Sequence, residues 1–136
     1  MARKAKPPPA SALVFSAAEW APLMETFERV AGALGSWDLA ERDLPEDLQS
    51  GRLSSAMRRI SPDGVVDTFE RLDPSFWKDV GLYQPFEGDP DVTVSGLDAT
   101  LTTSFYLYFF VARNDLDKLY PVDHALEPAS PRRPLL

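Results

Sequence analysis

The sequence contains no cysteine. Disulfides and thiolate metal sites are therefore excluded, and a reducing, cytoplasmic location is the expectation. It contains one histidine, His124. A lone imidazole cannot build a histidine zinc site, and this one lies in a proline-rich terminal stretch with no nucleophile placed to use it as a base. No run of 18 or more apolar residues occurs, so no membrane span is expected. The opening MARKAKPPPASALVF carries charge but no apolar region of signal-peptide length. Glycine-rich phosphate loops are absent: Gly32 and Gly35 are spaced as GxxG, with no Lys-Ser/Thr behind them. Asp89 and Asp91 flank Pro90 but lack the alternating acidic pattern of a calcium loop. Carboxylates are plentiful, yet no pair stands apart from the ordinary solvated ones. A protein without catalytic activity, cofactor or metal is the expectation.

What the chain does have is apolar mass and negative charge. Its 136 residues suit one domain, and three Trp, eight Phe and four Tyr are enough to fill a core. The net charge of −7 includes three positive charges in the first 12 residues (Arg3, Lys4, Lys6). The last 14 residues cancel, so the body between carries −10. Such a body repels phosphate backbones and favours solubility or a basic partner.

The least ambiguous stretch runs from residue 50 to 81. Ser50-Gly51 ends a helix, with Gly51 suited to the left-handed cap. Leu53 to Ile60 reads as a strand, Ser61-Pro62-Asp63-Gly64 as a type I turn, and Val65 to Leu72 as the returning strand. Asp73-Pro74 then starts a short helix, Asp as cap and Pro at the first position, which Gly81 stops. That helix is too short to be stable alone, so Phe76 and Trp77 must anchor it in the core. The rival role for Trp77 is an exposed binding centre.

Upstream, Ser16-Ala17-Ala18-Glu19 fits a capping box, and Trp20, Leu23, Phe27, Val30, Ala31 and Leu34 form one helical stripe, with Pro22 as a complication. Ser36 caps a second helical region. Pro45 either divides it into 37–43 and 45–50 or kinks it, and Asp38, Glu41, Asp43, Glu46 and Asp47 make one side acidic. Downstream, Leu82 to Asp91 is a loop. Val92 to Ser95 is a strand whose apolar phase shifts at Gly96, and Thr102 to Ser104 is read as a hairpin tip. Phe105 to Ala112, FYLYFFVA, is the strongest strand. Phe105, Leu107, Phe109 and Val111 share one face, and Tyr106, Tyr108 and Phe110 share the other, which is either covered or partly open. Asn114 is expected to cap a last helix ended by Pro121.

The spacing therefore predicts an α+β fold, a single small domain over residues 13–122. N-terminal helices precede two antiparallel hairpins, each leading into a short capped helix. Residues 1–12 and 123–136 are expected to be disordered tails. The expected function is that of a non-enzymatic, acidic, regulatory module that binds another protein. Its candidate contacts are the strand residues Tyr106, Tyr108 and Phe110 and the acidic Asp38, Glu41, Glu46 and Asp47. Nucleic acid is the alternative partner, gripped by Arg52, Arg58, Arg59 and Arg71 on or beside the central hairpin, and is disfavoured by the body's charge.

ALGSWDLAERDLPEDLQSGRLSSAMRRI, a turn, and RLDPSFW resemble the layout of small excisionase-like or MerR-like winged-helix modules. The chain is also similar to small bacterial proteins with an AERxL…SGRL…FW pattern, here Ala40-Glu41-Arg42, Leu44, Ser50-Gly51-Arg52-Leu53 and Phe76-Trp77. That pattern extends through Val111, Arg113, Asp115-Leu116 and Leu119. The resemblance covers about half the chain and implies two helices, a β-wing and a further short helix. It also implies DNA binding through the wing. Separately, the size and charge are similar to those of regulators and inhibitors encoded by bacterial mobile elements, which makes an inhibitor or accessory protein of that type the expectation.

Overall fold

A computed structural model describes residues 13–85, 89 and 91–121. The expected tails, His124 and most of the Phe86–Pro90 loop lie outside the described residues.

A short extended segment comes first. Strand β1 (Trp20–Pro22) leads directly into helix α1 (Leu23–Leu34). The capping box does not form. The Ser16 carbonyl instead accepts the N–H groups of Glu19 and Trp20, both at 3.0 Å, in a tight turn. Pro22 is the reason. It lacks an N–H for a helix, and it forces the preceding Ala21 into extended backbone. Trp20 therefore leaves the helical stripe, while Leu23, Phe27, Val30 and Ala31 keep it and are buried. The Thr26 hydroxyl donates to the Pro22 carbonyl at 3.0 Å.

Helix α2 (Trp37–Ser50) is continuous through Pro45. Ser36 caps it, its hydroxyl accepting from the N–H groups of Asp38 and Leu39. The bond forfeited at Pro45 is outweighed by Ala40, Leu44 and Leu48, all fully buried against α1 and the sheet. The central hairpin pairs β2 (Ser55–Ile60) with β3 (Asp67–Leu72). Asp73 caps the next turn as expected, but that turn is a 3-10 helix, Pro74–Trp77. It ends before Gly81, which instead opens strand β4 (Gly81–Tyr83).

The α+β class and the single small domain are what the structure has; the second hairpin is made differently. Strand β5 (Thr93–Ser95) pairs with β4, and Ala99–Ser104 is helix α3, capped by Asp98, rather than strand and hairpin tip. The phase shift at Gly96 marks the break. Gly96 has φ +84°, and a Cβ there would stand 2.2 Å from the Asp79 carbonyl oxygen. Strand β6 (Tyr106–Ala112) is thereby free to enter the first sheet, whose order is β1-β6-β2-β3, antiparallel throughout. Helix α4 (Arg113–Leu119) follows with no side-chain cap; Asn114 lies inside it, because the Arg113 N–H is taken by the Glu19 carbonyl at 2.9 Å.

Helices α1 and α2 and the 3-10 turn cover one face of the sheet. The core between them holds Phe27, Leu44, Leu48, Met57, Trp77, Phe109 and Val111. Trp77 is fully buried, touches Phe76 and Phe109 edge-on, and donates its indole N–H to Ser55 Oγ at 2.7 Å. The core role assigned to Trp77 therefore holds. Trp77→Ala is expected to cost about 3–5 kcal/mol. Ser55→Ala, which orphans the buried indole N–H, should cost about 1–3 kcal/mol. Gly96→Ala should exceed Gly32→Ala in its cost, since Gly32 has open space around it. Chemical denaturation of the four variants checks the order.

Candidate protein-binding face

Strand β6 lies between β1 and β2, and its alternation decides what each side chain meets. Leu107, Phe109 and Val111 turn toward the helices and join the core. Tyr106, Tyr108 and Phe110 turn to the outer face, on which no helix lies among the described residues. The register places Tyr108 beside Arg58 and Tyr106 beside Ile60.

The outer face divides into two halves. Toward the C-terminal end of β6, Phe110 is buried in an aromatic cluster with Trp20, Phe69 and Phe15. The segment before β1 covers it: the Leu13 N–H donates to the Phe69 carbonyl at 2.9 Å, and the Phe15 ring sits 5.0 Å from that of Phe110. Phe110 is therefore structural and is removed from the candidate contacts. Toward the other end none of the described residues covers the sheet, and Tyr106 and Tyr108 are 58% and 49% exposed. Val65 and Val66 at the hairpin tip are exposed as well.

A groove of about 370 Å³ adjoins the two tyrosines. Its floor is Phe105 to Phe110, its far wall is Val92, Val94, Leu97 and Thr102, and Pro22 and Leu23 close one end. Asp91 stands at its margin, exposed. The sequence pattern points to the tyrosines but not to this wall, which exists only because β5 and α3 fold away from β6.

The acidic residues of α2 behave differently from one another. Glu46 is exposed. Glu41 accepts from the Gln84 N–H at 2.8 Å, and Asp38 from the Gln84 side-chain amide at 3.0 Å, so both hold the chain after β4. Asp47 is only 4% exposed and is not part of an acidic surface. It accepts from Arg52 Nε at 2.9 Å and from the Tyr120 hydroxyl, tying α2 to the end of α4. Burial and the adjoining carboxylate push the Tyr120 hydroxyl well above the usual phenol range. Helix α2 also lies on the opposite side of the sheet from Tyr106 and Tyr108, so the two candidate sets do not form one surface.

The hairpin arginines are engaged. Arg58 makes a two-pronged pair with Asp67 at 2.8 and 2.9 Å, Arg59 pairs with Glu70 at 3.1 Å, and Arg52 pairs with Asp47. Arg71 lies over the Trp20 ring, 5.5 Å from its centroid. Arg58 and Arg59 are consecutive in β2 and so point to opposite faces. The four do not make a continuous cationic strip.

No protein-family model, no curated protein and no solved structure matches this chain.

Two outcomes are expected from these charges. Asp47→Ala should cost about 1–3 kcal/mol, because the part-buried Tyr120 hydroxyl loses its acceptor. Arg113 beside Glu25 and Arg58 beside Asp67 hold both carboxyls below their ordinary values. A carboxyl with a lowered folded pKa contributes stability that is complete above the unfolded value and is lost as pH falls through the folded one. Thermal melts should thus fall on acidification below about pH 4, and Glu25→Gln should flatten that fall.

Proposed function

We propose that this chain is a non-enzymatic module that binds another protein, and that its contact surface is the uncovered half of the outer sheet face around Tyr106 and Tyr108. The observation that carries the reading is the pair of half-exposed tyrosines on a central strand, where burial would be the default. Tyrosine supplies large contact area with few rotamers to freeze and a hydroxyl for the wet rim. The adjoining Val65, Val66 and Ile60 extend the apolar surface, and Arg58 and Asp67 edge it.

The alternative, DNA binding through the hairpin, has less support. Three of its four arginines already face carboxylates, and the body's charge opposes a phosphate backbone. The absence of cysteine fits a cytoplasmic setting, and a regulatory role of the kind encoded on mobile elements accords with the size and charge. Among the described residues no helix is long and apolar enough to cross a membrane.

Photo-crosslinking tests the reading. A benzophenone amino acid replaces Tyr108 in one sample and Lys78 in another, and each protein is exposed to a lysate of its native host. A specific adduct at position 108, absent at 78 and lost on adding Tyr106→Ala, is expected. Equal labelling at both positions sinks the proposal. A nucleic-acid adduct centred on Arg58 would revive the hairpin alternative.

A further inference from the structure

The edge of β6 is only partly used. Strand β1 is three residues long and pairs with Phe110, Val111 and Ala112 alone. From Tyr106 to Phe109 the strand has β2 on one side and, among the described residues, no strand on the other.

The direction of the backbone groups follows from two bonds. The Ala112 N–H donates to the Ser54 carbonyl on the β2 side, and the Arg113 N–H to the Glu19 carbonyl on the β1 side, both at 2.9 Å. In an antiparallel ladder these directions alternate residue by residue. The even-numbered groups of β6 therefore face β2, and the odd-numbered ones face β1 and its continuation. The N–H and C=O groups of Leu107 and Phe109 thus open onto the groove, without a partner strand among the described residues. Strand β1 ends at Pro22 because the chain turns into α1 from Leu23, the next residue that would have bonded to β6.

Resting on the protein-binding reading above, we infer that the partner contributes an extended peptide that adds as a strand to β6, in line with β1. Its backbone pairs with Leu107 and Phe109, which gives affinity. Its alternate side chains meet Val92, Val94 and Leu97 on the inner side and the rings of Tyr106 and Tyr108 on the outer side, which gives specificity. A strand of four or five residues, about 13–17 Å long, fills the groove. Asp91 at the margin has no cation within salt-bridge reach among the described residues, and the chain is strongly acidic. The peptide is accordingly β-branched or apolar at alternate positions and cationic at one end.

Other occupants fit less well. The chain's own tails hold Pro7, Pro8 and Pro9 at one end and Pro128, Pro131 and Pro134 at the other, and proline cannot donate to a ladder. The proline-free Val122–Glu127 carries Asp123 and Glu127, which Asp91 repels; Met1–Lys6 lacks the β-branched side chains the walls select. A second copy would present an edge at the floor of the same walled groove, so two such edges do not reach ladder spacing.

The test uses the full chain and a synthetic nine-residue peptide of alternating valine and threonine with a lysine at each end. Amide hydrogen exchange is followed by NMR. With the peptide at saturation, the Leu107 and Phe109 amides should slow by about tenfold or more, while Tyr106 and Tyr108, already bonded to β2, stay unchanged. A twin peptide N-methylated at alternate residues should give no protection, and Asp91→Lys should weaken binding roughly three- to tenfold. Binding of the N-methylated twin with equal affinity, or binding without protection of Leu107 and Phe109, overturns strand addition and leaves the protein-binding reading in place. Protection of both amides in the free chain, lost on deleting either tail or on dilution of a dimer, overturns it in favour of the chain's own occupant. Failure of the Tyr108 crosslink with any protein removes the reading itself.

Discussion

The structure depends on one ladder, the antiparallel pairing of β2 with β6. Six residue pairs, from Ser55↔Val111 to Ile60↔Tyr106, join the middle of the chain to its C-terminal third. Through it β6 becomes central, β1 gains a partner, and the sheet acquires the inner face on which the helices pack. Closing so long a loop costs entropy before any contact forms, and the apolar run of β6 offsets that cost on both faces at once. Phe109 and Val111 join the main core, while Phe110 joins the aromatic cluster beneath Phe15.

Trp77 fixes the second sheet to the first. It lies on the 3-10 turn between β3 and β4, contacts Phe109 of β6, and bonds to Ser55 of β2. A buried indole with its N–H satisfied holds a turn that has no stability of its own. Gly96 sets the other limit of this arrangement, since its left-handed backbone lets the chain pass the Asp79 carbonyl. Together they place β5 and α3 opposite the free edge of β6, and the groove is the space left between.

The groove and the two exposed tyrosines beside it are thus by-products of incomplete closure. β1 is too short to cover β6, the Leu13–Phe15 segment covers only half of the outer face, and α3 turns away from the sheet. Exposed apolar edges are hazards that folded proteins blunt or use. Recession of this edge beside β5 and α3 sets it apart from a fully open sheet edge, on which open-ended aggregation can begin.

The sequence by itself determined the local features whose cause is local. Ser36, Asp73-Pro74 and Gly51 act on backbone groups a few residues away, and the stripe Leu23-Phe27-Val30-Ala31 follows from helical spacing. The α+β class, the central hairpin and the two faces of FYLYFFVA were legible for the same reason. What only the tertiary structure decided was every choice between partners. Trp20 left its helix for a strand because β6 offered a ladder that Pro22 made preferable. β5 chose β4 over β6, and Asp47 turned from surface acid to buried acceptor because Tyr120 arrives from the far end of the chain. Arg58 and Arg59 look like a basic pair in sequence, yet β2 alternation and the carboxylates of β3 separate and neutralise them. Capping and periodicity act over a few residues, whereas strand pairing and ion pairing compare alternatives across the whole chain, and only the folded molecule resolves that competition.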